Sequence, residues 1–175
     1  MFNKRKVEKF AMAVREVLGI DPNLILTSNH LEELIQKIEK SQEIEGIDNF
    51  KIISENADYT PRLFLDNVNT FTIHLFGGKE EKFESLMEMF AFAWCLDKKA
   101  LTQYQLEHSS WGFPRFLEDI DHYFMRAFIL PEDAFRLAMI PYLDGIGETV
   151  RIQDMCNEVS AYSWARAIDL QILLR

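Results

Sequence analysis

"EKFESLMEMFAFAWCL", residues 81–96, is a run of apolar and aromatic side chains dense enough to predict a buried helix. One carboxylate, Glu88, sits near its centre. An ionised carboxylate in a dry core costs several kcal/mol, on the order of what a whole domain has to spare, so this acid must be paired, exposed or protonated. Glu88 is therefore the first residue to account for. Phe90, two positions on, is expected in the core.

Working outward from this helix, Gly77-Gly78 closes a segment in which Phe71, Ile73 and Leu75 alternate with Thr72, His74 and Phe76, the period of a half-buried strand. "RLFLD" before it is a second strand, and "NVNT" between them has turn chemistry, so 62–76 is expected to form a β-hairpin. Lys51-Ile52-Ile53 is a shorter strand. Further upstream, Val7, Phe10, Ala11, Val14, Val17 and Leu18 recur at helical spacing until Gly19 and Asp21-Pro22 stop them. A second helix is expected from Ser28 or Asn29, with Glu32 in place for a capping box. Downstream, helices are expected over about 98–107, 116–129, from Pro131 to about Leu143, 150–157 and 161–173. The fold class that follows is α+β: a mostly helical body with a small antiparallel sheet. One domain over 1–175 accommodates it, with leading helices in 1–45, the sheet in 50–78 and a helical core in 79–175.

Composition narrows the function classes. At 175 residues, 48% hydrophobic and 27% charged, the chain can close a core and is not of the disordered type. Fourteen Phe make an aromatic interior the expectation. Two cysteines, Cys95 and Cys156, in apolar helical context favour reduced thiols and a cytoplasmic setting. No membrane span or signal peptide is expected. The net charge of −9 disfavours nucleic acid, although residues 1–18 gather Lys4, Arg5, Lys6, Lys9 and Arg15.

"FMRAFILPEDAF", residues 124–135, and "IQDMCNEVSAYSWARAIDLQILL", residues 152–174, resemble the "FAxxLLMPxxxF" segment and the closing helix pair of the ImmA/IrrE-like metallopeptidases of bacteria, phages and mobile elements. Phe124, Leu130, Pro131, Phe135, Val159-Ser160 and Arg166 fall in register. The resemblance implies a zincin-like minimal peptidase fold. It also implies a zinc site on an HExxH helix, where histidines at i and i+4 hold the metal and the glutamate acts as general base.

Setting "FESLMEMFA", residues 83–91, on that helix puts Met87 and Ala91 at the histidine positions and Glu88 at the base. The third ligand position falls on Ile120, in "LEDIDHYF". None of Met87, Ala91 and Ile120 supplies an ordinary zinc ligand. The resemblance thus implies a degenerate, catalytically inactive member, with Glu88 a vestigial base, no cofactor, and a protein partner such as a repressor bound at the old cleft, a sheet edge or the 108–115 loop. The alternative is an active metal-dependent peptidase that assembles zinc from Glu88, Asp121 and His122, with His108 nearby. Gly77-Gly78-Lys79 as a phosphate cradle is a weaker reading, since the rest of a Walker loop is missing.

Overall fold

The first helix begins where Asn3 turns its side chain onto the Lys6 amide, 3.2 Å away, and ends where Gly19 adopts φ +61°. This is α1 (Lys4–Val17). The left-handed glycine lets the amides of Gly19 and Ile20 turn back onto the carbonyls of Glu16 and Arg15, while Lys37 Nζ donates to the Leu18 and Gly19 oxygens. The computed structural model describes residues 3–41, 49–54, 62–65, 70–95, 115–143 and 150–172, with the backbone alone at 49, 62, 64, 65, 95 and 115–120. The helix expected over 98–107 and the 108–115 loop with His108 lie outside the described residues, apart from the backbone of Arg115.

After a 3-10 turn at Ser28–His30 comes α2 (Leu31–Lys40). The capping box forms on the 3-10 turn, between Thr27 and His30, and not on Glu32 as expected. The Thr27 amide donates to His30 Nδ1 at 3.0 Å, because the tight turn brings the imidazole back over the helix entrance. The sheet follows, from β1 (Asn49–Ser54), β2 (Arg62–Leu65) and β3 (Thr70–Leu75). Spatial order is β1–β3–β2. β2 pairs antiparallel with β3, Leu65 opposite Phe71, whereas β1 runs parallel to β3 with Phe50 beside Phe71 and Ile52 beside Ile73. The expected antiparallel sheet is corrected to a mixed one. With β3 central, β1 takes its place on the far side from β2, and its direction is set by that long-range pairing. The outer rim of β1 meets α2, where the Ile52 amide donates to Glu39 Oε1 at 2.8 Å.

Phe71, Ile73 and Leu75 point to one face and are fully buried against α3 (Lys79–Cys95). The remaining elements are α4 (Arg115–Ile129), α5 (Glu132–Met139), a 3-10 turn at Ile140–Tyr142, α6 (Ile152–Glu158) and α7 (Ser163–Asp169). α5 stops before the expected Leu143, and Pro141, which has no amide to donate, falls in the tighter turn that follows. Pro131 stands at the cap of α5, one step before its first turn. α3 packs on α4, and α4 on α1. An aromatic file runs through the interface: Phe71 to Phe50, Phe50 to Phe90, Phe90 to Phe128 and Phe128 to Phe124, with ring centroids 5.4–5.9 Å apart.

The C-terminal end of α4 organises the rest. Phe128, Ile129 and Leu130 are buried, and the carbonyls that a helix end leaves without internal partners must find donors there. Arg15 Nη1 donates to Phe128 O, the Leu26 amide to Ile129 O at 3.1 Å, and Arg166 Nε to Leu130 O at 2.8 Å. Both arginines are fully buried. Arg15 Nη2 also reaches the carbonyls of Asp21 and Leu24, and burial lowers its pKa to about 10. Arg166 forks onto Glu8 at 2.6 and 3.1 Å, and Glu8 takes the Tyr123 hydroxyl at 2.9 Å. α7 is fastened a second time by Arg126 on Asp169.

Two outcomes check this framework by chemical denaturation. Arg166→Met is expected to destabilise by about 3 kcal/mol or more, since it strands Glu8 and the Leu130 carbonyl, and Arg166→Lys should restore only part because one ammonium cannot replace the fork. Phe90→Ala should cost about 3–5 kcal/mol by opening a cavity in the middle of the aromatic file.

Candidate functional site

Where the exposed side of α3 meets α4 and the turn before α7, the chain gathers Glu84, Glu88, Asp121, His122 and Tyr162 within electrostatic reach. The helical period of α3 explains the division. Leu86, Met87, Phe90 and Ala91 face inward and are buried, whereas Glu84 and Glu88, four residues apart, share the exposed side. Glu88 thus meets the requirement set by its sequence through exposure.

That exposure is incomplete in its effect. Neighbouring structure removes enough water from the Glu88 carboxylate to raise its pKa from the ordinary 4.5; His122 pulls it back down, while Glu84 and Asp121 raise it further. The Tyr162 phenol is pushed well above its usual range, first by burial and then by Glu84 and Glu88. Asp121 is buried, and its Oδ1 accepts the amide of His122 at 2.7 Å. His122 is exposed.

The residues singled out by sequence therefore separate. Glu88, Asp121 and His122 do come near one another, but among the described residues no three His, Cys, Asp or Glu form a group that could hold a metal ion. Met87 and Ala91 belong to the core, each 1% exposed. Of Ile120 the structure gives the backbone within α4 and nothing of the side chain. The donor set does not fit zinc at the positions the resemblance assigns: a buried thioether and a methyl group stand where imidazoles would be needed.

The Gly77-Gly78 turn is also accounted for. Gly77 has φ +89°, and the amide of Gly78 donates to the Glu81 carboxylate, so that amide already has a partner. A Cβ on Gly77 would come within 2.4 Å of Glu81 Oε2. Glu84 and Tyr162 were not evident as site residues, because no local motif links α3 to a turn some seventy positions later; only the return of the C-terminal helices joins them.

The arrangement can share or accept a proton at Glu88. A carboxyl group whose pKa is raised by folding holds its proton more tightly in the folded chain. Its contribution is therefore most favourable in acid and is lost as pH rises through the carboxylate range. Glu88→Gln is expected to melt at the same or a higher temperature than the native chain at pH 7, with the difference shrinking toward pH 4. Thermal melts followed by circular dichroism check this, and a clear loss at pH 7 would place Glu88 in a stabilising contact instead.

No family model, curated protein or solved structure matches this chain.

Proposed function

We propose that the chain is a catalytically inactive, ImmA/IrrE-like peptidase-fold protein that acts by binding another protein. The observation that carries the reading is the burial of Met87 and Ala91. Side chains at the two positions the resemblance gives to zinc histidines pack beside Phe90 in the same core that the sheet and α4 complete. A pair of imidazoles there would have to give up that packing. A sheet of three strands laid against a long apolar helix is compatible with a zincin-like minimal fold, as the resemblance implies. The partner class it suggests is a regulator of phage or mobile-element origin, such as a repressor, met in the cytoplasm. No helix among the described residues is long and apolar enough to cross a membrane. The net charge of −9 argues against nucleic acid as the partner.

The competing reading, a peptidase using Glu88, Asp121 and His122 as an unconventional zinc site, has in its favour only the nearness of the three groups. Elemental analysis of protein purified without chelator separates the two. The inactive reading expects no stoichiometric transition metal; bound zinc together with loss of peptide cleavage in Glu88→Gln would overturn it.

The alignment itself is tested by Met87→His combined with Ala91→His. The double variant should be less stable than the native chain, and added zinc should raise its melting temperature while leaving that of the native chain unchanged. If zinc has no effect on either, these two positions do not share a metal-facing side of the helix, and the resemblance fails at its central motif.

A further inference from the structure

A groove of about 940 Å³ opens between α1, the turn after it and the start of α5. Met12, Ala13, Ile20, Pro22 and Pro131 give it an apolar lining. Carboxylates stand along it, and their existing partners decide what it could hold. Glu8 is taken by Arg166, and Glu132 by Arg136 at 2.7 Å. Arg15 lies beneath the surface with its Nη groups turned to backbone carbonyls. Glu16, Asp21 and Asp133 remain, all exposed; Glu16 and Asp133 have no ion-paired cation among the described residues, while Asp21 accepts the Asn23 amide at 2.7 Å and lies within the field of the buried Arg15 guanidinium. The exposed cation in the lining is Lys9, two turns of α1 away from Glu16.

An apolar floor beside two unpaired carboxylates and the partly occupied Asp21 suits a side chain that is itself apolar along its stem and positive at its tip. We propose that this groove seats a lysine- or arginine-bearing segment of the protein partner. The aliphatic stems cover Met12, Ala13 and Pro22, and the charged heads reach Glu16, Asp21 and Asp133. The excess negative charge of the whole chain adds attraction at a distance. This rests on the protein-binding reading above and locates its surface on α1 and α5, away from the α3 carboxylates.

The test is fluorescence anisotropy with a short labelled peptide of alternating lysine and leucine. The native chain should bind it, and a glutamate–leucine peptide should not bind. Glu16→Lys with Asp133→Lys should weaken binding roughly tenfold, the scale of two reversed surface contacts. Ala13→Trp, which leaves the charge unchanged and fills the floor, should weaken it as well. Glu80→Lys with Asp154→Lys makes the same change in net charge at positions outside the groove's lining and should leave binding within about twofold of native, the scale of a surface charge that does not touch the peptide. Equal weakening by both charge pairs would show attraction to the acidic body alone and overturn the proposal. Indifference to Ala13→Trp, or displacement of the peptide by equimolar spermine, would overturn it too. Zinc in the purified chain would sink the inactive-peptidase reading without altering any of these binding results, so the two failures are distinguishable.

Discussion

Three carbonyl oxygens at the end of α4 have to be hydrogen-bonded away from water, and the donors that reach them come from opposite ends of the chain. Arg15 arrives from α1, the Leu26 amide from the connector that follows it, and Arg166 from α7. A helix C-terminus carries partial negative charge, so guanidinium groups are suited to it in sign as well as in geometry. The same two side chains fix further partners: Arg15 gathers the carbonyls of the α1–α2 connector, and Arg166 locks Glu8 of α1. One satisfied helix end thereby sets where the first and last helices lie.

The second constraint is the face of α3 that meets the sheet and α4. Once Leu86, Met87, Phe90 and Ala91 are committed to that core, the helical period leaves Glu84 and Glu88 on the other side, where acids are tolerated. On the proposed reading, exchange of two imidazoles for a thioether and a methyl turned a metal-facing surface into packing surface. On that same reading Glu88 is the former base, and the structure around it raises its pKa.

Much of the fold was legible in the residues because its determinants are local. Phe71, Ile73 and Leu75 announced their face by alternation, Gly19 and Pro131 marked the ends of helices, and Phe90 proved to be in the core as its surroundings required. What was not legible depends on distant pairing. The parallel course of β1 is decided by its register with β3 and by α2 on its rim, neither of which has a signature in "KII". Arg166 stood out by resemblance alone, and its partners Glu8 and Leu130 are far off in sequence. In the sequence Arg15 looked like one of several basic residues gathered in 1–18, while in the fold it is buried and Lys9 is not. His30 offered no hint that it would cap its own helix, since the imidazole can do so only after the 3-10 turn has formed. The candidate site divides the same way: Glu88 was visible as an oddity in its run, but Tyr162 joins it through tertiary structure.

The carboxylate of Glu39 on the outward amide of Ile52 has a bearing on how the protein behaves in a crowded solution. A strand at the border of a sheet is a template onto which another extended chain can zip, beginning at any amide left vacant. Here α2 lies along the border, and an acidic side chain occupies that amide while adding negative charge to it. The border formed by β1 is thus guarded against runaway stacking of one molecule on the next.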